Sequence, residues 1–415
     1  MTSADRLLLL QLQRRALLYF VENQTDNGLV LDRQRNFGPR ATQGLCSTAA
    51  TGMGFIALAL ASAAPHRLLD RTTAVRRVRV GLETALERLP HAEGVVPHFI
   101  DSRSGAVVGT DHFSTVETAW LAAGGLWAAT FLNDSGLIDL ADRFYHRIHW
   151  HWWTAPEESQ GRGLLRHGQS ADGRFLGCSW DRANGETAFM YVLAAGARAE
   201  RAIPTSAWRE LRPFYGTVAG LRFNNADLGL FVFQYGLDLL DLVRWQAPCG
   251  LDLHTEAGLA AVANRQACRL WAERFVTFHY YWGLSAGDGP DETGWSDVYR
   301  AYAPAGPVDG TAHLTATLAS VGHAPGSVLE NVHVARCDTR YTLLGRYGFS
   351  NVNLDRDWTS RDMVGIDAGA AVLGLDNFLF ANRVRSVFHS IPYVHNGLMR
   401  LGFRSRPAQE ARSAA

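Results

Sequence analysis

Residues 180–197 read WDRANGETAFMYVLAAGA. Apolar side chains recur there at Ala188, Tyr191, Val192 and Ala195, the spacing of one helical face, and the run Thr187–Ala195 reads as a strongly apolar helix. Glu186 stands at its start, after an approach rich in glycine and aromatic residues. A carboxyl placed there, pointing into the mouth of a helical barrel, would be partly desolvated. The plainer reading is a helix-start glutamate favoured by the macrodipole.

The same spacing returns at Val116, Trp120, Ala123 and Trp127. Along the chain it predicts helices near residues 5–22, 47–63, 67–88, 114–132, 136–150, 184–200, 205–215, 236–245, 253–277, 311–321, 326–336 and 365–382. That is the number of helices in an all-α (α/α)6 toroid of six hairpins. The stretches between them, such as 95–110, 164–180, 281–310 and 345–358, are rich in Gly, Asp and aromatic residues. They are expected to form short β-hairpins and functional loops at one rim. With no low-complexity linker or charge block, the expectation is one domain over residues 1–415, with a disordered tail from about residue 404.

Composition narrows the chemistry. The 415 residues are 47% hydrophobic, enough for a large core, and Lys plus Arg equals Asp plus Glu at 40 each. Without a cationic field, a nucleic-acid partner is not expected. Every one of those 40 basic residues is arginine. A Schiff-base or pyridoxal enzyme, and a phosphate loop ending in Gly-Lys, are therefore excluded. The 5 cysteines are far apart and never form a CxxC pair, so buried free thiols are expected. The apolar run Leu7–Leu10 is cut short by Gln11, Gln13, Arg14 and Arg15, and no longer run follows. The expectation is a cytoplasmic monomer with no membrane partner, or a periplasmic or secreted one should the start site be misassigned.

The 12 tryptophans and 12 tyrosines supply flat apolar faces, several beside carboxylates: Trp120 near Glu117, Trp180 before Asp181, Trp295 near Asp297 and Trp358 after Asp357. Such faces stack on the C–H surfaces of sugar rings while planar polar groups hold the hydroxyls. Glycosidic cleavage then needs one protonated carboxyl and a second carboxylate. Asp367, in GIDAG ahead of the apolar run 370–375, is a candidate for the second, though an N-cap aspartate reads the same way. Asp288 in GDGP and Asp309 in DGT read first as turn residues. No HExxH-like spacing occurs, so neither a metal nor another cofactor is expected.

At GLVLDR (28–33), STAATGMGFIALAL (47–60), PHFID (97–101), FSTVETAWLAAG (113–124), WDRANGETAFMYVLAAGA, FVFQYGLDLLD (231–241), GLSAGDGP (283–290), AYAPAGPVDGT (301–311), GRYGFSNVNL (345–354) and GIDAG the chain resembles the bacterial glucoamylase-like family of α/α-barrels. That family holds endo-β-1,2-glucanases and the cyclising domain of cyclic β-1,2-glucan synthases. The resemblance implies an (α/α)6 barrel acting on an oligo- or polysaccharide, endo-cleaving β-1,2-glucan with inversion, Glu186 serving as general acid and Asp367 as general base. An inverting pair stands roughly 6.5–9.5 Å apart. The matching motifs place Asp32, Arg33, His98, Asp101, Glu117, Trp120, Trp180, Gln234, Tyr235, Asp288, Tyr302, Asp309 and Arg346 as substrate-binding residues.

Three departures are visible. The family's HQYSH has Phe233 and Leu237 at its ends, its LGSPTHP loop reads AGARAERAIP, and its STxDT aspartate is Glu117. They suit a subfamily with a different linkage or chain length. A transglycosylase, or a glycan-binding relative without catalysis, is the alternative reading.

Overall fold

Helices that are apolar on every side must be enclosed by protein, whereas those with one apolar stripe can line the outside. Both kinds occur here. The computed structural model describes residues 1–110, 112–156, 162–293 and 296–406, apart from the side chain of Cys249. In chain order its helices are α1 (Ser3–Asn23), α2 (Thr48–Ala61), α3 (Arg71–Glu87), α4 (Thr115–Leu132), α5 (Ser135–Arg147), α6 (Gly185–Gly196), α7 (Ala207–Glu210), α8 (Phe231–Gln234), α9 (Leu253–Trp271), α10 (Leu314–Ala319), α11 (Pro325–Cys337), α12 (Gly365–Leu379), α13 (Arg383–His389) and α14 (Pro392–Leu401). Among the described residues the chain is mostly helical, with no closed sheet.

Every residue of α2 is buried, and α4, α6, α10 and α12 are buried nearly throughout. These form an inner set, α2 packing on α4 and α12, α4 and α8 on α6, and α10 on α12. Helices α1, α3, α5, α9, α11 and α14 keep a polar face and pack outside them. Small residues let the inner helices meet backbone to backbone. A Cβ on Gly124 would stand 1.9 Å from the Gly52 carbonyl, and one on Gly52 2.2 Å from that of Trp120. Any side chain at either site would force α2 and α4 apart.

The strands are short and lie where the inner helices begin. An antiparallel sheet orders Val30–Leu31, Leu45–Ser47, Phe99–Asp101 and Val107–Val108, and Ser47 then caps α2 by accepting from the Ala50 amide at 3.1 Å. Phe113–Ser114, paired with Gly168–Gln169, runs into α4, and Asp362–Val364, paired with Arg33–Arg35, runs into α12. The hairpin Ala286–Pro290/Asp297–Ala301 stands beside them. One cluster of buried apolar side chains joins all of this from Leu8 to Phe403.

Four sequence expectations need correction. The segment 236–245 is a run of turns leading into a strand at Trp245, because Gly236 adopts φ +74° just after α8 and the bonds that follow, such as the Leu240 amide to the Gly236 carbonyl, are too isolated to continue a helix. The helix expected over 205–215 shrinks to α7, since Pro213 keeps the residue before it extended. Helices α13 and α14 were not anticipated, although α14 carries Pro392 at its first turn and Gly402 at φ +88° just past its end, the usual Pro–Gly bracket. Of the thiols, Cys46 and Cys268 are buried but Cys178 and Cys337 are exposed. In the expected tail, Arg404–Ser405 pair with Trp245–Gln246, and residues 407–415 lie outside the described residues, as does Trp295. Among the described residues no helix is long and apolar enough to cross a membrane, and no group of three His, Cys, Asp or Glu side chains is arranged to hold a metal.

Candidate active site

The amino-terminal ends of α2, α4, α6, α8 and α12 open on one cleft of about 990 Å³, to which they contribute Ser47, Glu117, Glu186, Phe231 and Ile366. Asp32 and Arg33 enter beside α12, and Tyr299 and Ala301 come from the hairpin. Three acidic residues occupy first turns of these helices: Glu117 and Glu186, which line the cleft, and Asp367, which does not line it itself but follows the lining residue Ile366.

None of them caps its own helix. Asn184 caps α6, its side-chain oxygen accepting from the Thr187 amide at 2.9 Å, which leaves the Glu186 carboxyl free of that duty. At α12 the N-cap position is Val364, so Asp367 is not the capping residue either. Glu117 is engaged differently. It accepts the Ala49 amide at 3.0 Å, tying α4 to α2, and meets His98 Nε2 at 3.2 Å.

Glu186 lines the cleft and makes no hydrogen bond among the described residues. Burial, aided by the negative charge of Glu117, pushes its carboxyl up to about 8. The helix dipole works the other way, but is worth only about 0.3–1 kcal/mol for a first-turn anion, so desolvation wins. Leu237 packs under the start of α6: a Cβ on Gly185 would lie 2.7 Å from its Cγ and 2.6 Å from the Tyr235 carbonyl. Gly185 therefore lets the acid-bearing turn sit directly on the Tyr235 segment.

Asp367 accepts a hydrogen bond from the Tyr235 hydroxyl at 3.4 Å. Burial and the charge of Asp288 raise its carboxyl to about 7, with Tyr235 and Arg33 pulling the other way. The Tyr235 and Tyr299 phenols each feel the charge of both Glu186 and Asp367, so both carboxyls lie within electrostatic reach of the same two side chains. Burial favours the protonated form of both carboxyls, and that of Glu186 the more. The order suits a donor and an acceptor.

Of the expected substrate-binding residues, Asp32, Arg33, His98, Glu117, Trp180 and Tyr235 line the cleft. Trp180 stacks on His167 with ring centroids 3.9 Å apart and donates to Thr115 Oγ1 at 3.0 Å. The other seven are placed elsewhere. Asp288 is buried behind Arg33, whose Nη1 lies 3.0 Å from its carboxylate. Trp120 is buried behind Tyr235, and Gln234 donates to the Ala316 carbonyl and Ser320 Oγ in the core. The Tyr302 hydroxyl donates to Asp309 at 2.9 Å, so each satisfies the other away from the cleft. Asp101 closes a surface turn onto Ser104, and Arg346 pairs with Glu22 on an exposed face.

Phe233 and Leu237 are core residues, 4% and 2% exposed, and do not line the cleft. The cleft residues the sequence reading missed include Tyr299, His167, Phe99 and Arg182. Tyr299 carried a signal: in register with Asp288, it lies on the same hairpin face.

The family model described as "Putative glucoamylase" matches residues 178–392. Among solved structures, the chain is similar to a "putative glucoamylase" from Bacteroides uniformis, at 21% identity and a TM-score of 0.83 over 98% of this chain and 99% of that one. It is also similar to an endo-β-1,2-glucanase from Chitinophaga pinensis, solved with sophorotriose and glucose, at 20% identity and a TM-score of 0.81 over 98% and 99%. A β-1,2-glucanase from Parabacteroides distasonis aligns at 22% identity and a TM-score of 0.80 over 97% of this chain and 60% of that one. No curated protein matches by sequence. With more than half of its length matched by that family's model, the chain belongs to the glucoamylase-like family.

Proposed function

We propose that the chain is a glycoside hydrolase of one domain, active as a monomer, whose inner and outer helices form an (α/α)6 barrel, and that it cleaves a β-linked glucan. Glu186 donates its proton to the glycosidic oxygen. Asp367, held by the Tyr235 hydroxyl, takes a proton from the water that attacks the anomeric carbon, so configuration inverts. The observation that carries this is the pair itself: two first-turn carboxyls, neither of them capping its helix, both raised by burial, beside the same two tyrosines.

A β-1,2 linkage and internal cleavage are supported by likeness to the Chitinophaga pinensis endo-β-1,2-glucanase. The stacked Trp180 and the polar Asp32, Arg33, His98 and Glu117 suit glucose rings and their hydroxyls. The test is incubation with linear and cyclic β-1,2-glucan beside β-1,3-, β-1,4- and β-1,6-glucans, reading product length and anomeric form. Shortened β-1,2-glucan with inverted anomers is expected. An intact β-1,2-glucan beside a cut comparator would overturn the linkage, and cyclic products would reassign the reaction to transglycosylation.

A further inference from the structure

Phe214 is 49% exposed, and a lone exposed phenylalanine needs no explanation. This one backs onto the wall of the cleft. Its ring lies against the guanidinium of Arg182, whose Cζ is 4.1 Å from the ring centroid, and Arg182 lines the cleft. Arg182 Nη1 donates in turn to the Asp227 carboxylate at 2.9 and 3.1 Å, which holds the guanidinium in place against the ring.

The backbone that carries the ring is tied to the acid-bearing turn. The Arg212 amide donates to the Asp181 carbonyl at 2.7 Å and the Ala183 amide to the Arg212 carbonyl at 3.1 Å, so the segment leading to Phe214 runs beside residues 181–183. Asn224 Oδ1 accepts from the Phe214 amide at 2.7 Å, and the Asn225 amide donates to the Phe214 carbonyl at 2.7 Å. Both asparagines are fully buried, and both donate through Nδ2 to the carbonyl of Ala183, the neighbour of the α6 cap Asn184. Two buried side chains thus lock an exposed ring to the helix start that bears Glu186. Hydrocarbon held in water on a rigid frame costs free energy that a ligand laid over it would recover.

Resting on the glycoside-hydrolase reading above, we infer an outer sugar subsite at Phe214. A glucosyl unit of the same glucan, beyond those in the cleft, lays its C–H face on the ring, with Arg182 and Asp227 beside it for its hydroxyls. The subsite selects chains long enough to occupy cleft and ring together. It binds away from the reacting bond, equally in ground and transition states, so its contribution falls on KM and not on kcat.

The test is a ladder of gluco-oligosaccharides, β-1,2-linked or of whichever linkage is cut, from the shortest that reacts up to the polymer. In the wild type kcat/KM should climb with length through a falling KM. Phe214→Ala should cut the long-to-short ratio of kcat/KM by roughly three- to tenfold at unchanged kcat. Phe214→Leu, which keeps hydrocarbon but loses the flat face, should do the same and serves if the alanine variant fails to fold, whereas Phe214→Trp should keep the ratio. Tyr215→Ala is the control: this exposed ring stacks on Arg222, which does not line the cleft, and its loss should leave the ratio as it is. A wild-type kcat/KM flat with length, an unchanged ratio in Phe214→Ala and Phe214→Leu, or an equal fall in Tyr215→Ala overturns the subsite and leaves the hydrolase reading intact. Should no glucan be cut, the hydrolase reading falls, and calorimetric titration with β-1,2-glucan decides the subsite: no binding, or binding as tight in Phe214→Ala as in wild type, overturns it.

Discussion

Replacing Glu186 by glutamine should cost the enzyme its activity and make it more stable, with the gain depending on pH. Burial raises this carboxyl from its ordinary 4.5 to about 8. Between those values the folded protein holds a proton that the unfolded chain releases, so wild-type stability falls as pH rises through the window. At about 1.36 kcal/mol per pH unit, the full penalty has a ceiling near 5 kcal/mol above pH 8, about 3 kcal/mol of it present at pH 7. Glutamine has no proton to lose and escapes the penalty. With unfolding entropy of about 2.1 cal/mol/K per residue, the 415 residues give roughly 0.9 kcal/mol per degree. The melting temperature of Glu186→Gln should then exceed wild type by up to about 4 °C at pH 7 and 5 °C at pH 9, relative to their difference at pH 4. Scanning calorimetry of both proteins across pH 4–9 makes the comparison. Parallel melting curves over that range would refute the claim that the carboxyl is desolvated, and with it the reason for assigning it the proton.

In the wild type, kcat/KM against pH should be bell-shaped, rising as Asp367 ionises near 7 and falling as Glu186 ionises near 8; a flat profile from 5 to 9 would contradict the pair. Tyr235→Phe removes a hydrogen bond that lowers the Asp367 carboxyl, so the acidic limb should move to higher pH while the basic limb stays in place. Arg33→Met leaves the buried Asp288 without its half-exposed cation and should destabilise by about 1–3 kcal/mol, read by urea unfolding. Gly185→Ala, with its Cβ 2.6 Å from the Tyr235 carbonyl, should cost about 1–3 kcal/mol by the same measurement and lower kcat as the acid-bearing turn is displaced.

The parts legible in the sequence were those set locally. The apolar runs behind Glu186 and Asp367 give the buried helices α6 and α12, with both acids in first turns. What escaped was set by distant partners. Gln234 looks like a ready ligand for sugar hydroxyls, yet its amide is taken by Ala316 and Ser320, more than 80 positions away. Asp309 is held by the Tyr302 hydroxyl, the Thr311 amide and Arg300 instead of facing the cleft. The leucines after Gly236 have helical spacing, but one positive φ turns them into a buried non-helical segment. Polar identity signals a capacity to bond and says nothing of which partner claims it.

The near-contact of Gly52 with Gly124, and the Glu117 bond to the Ala49 amide, fix α2 and α4 to each other independently of the loops above them. Glu186 and Asp367 likewise ride on inner helices, while the hairpin and the lead-in to α8 supply rim residues such as Tyr299 and Leu228. Selection can therefore trade one clientele for another by rewriting rim segments while the helices that carry the two proposed acids stay in place. Among relatives with the same two acids, divergence in what is cut should concentrate around residues 228–232 and 286–301.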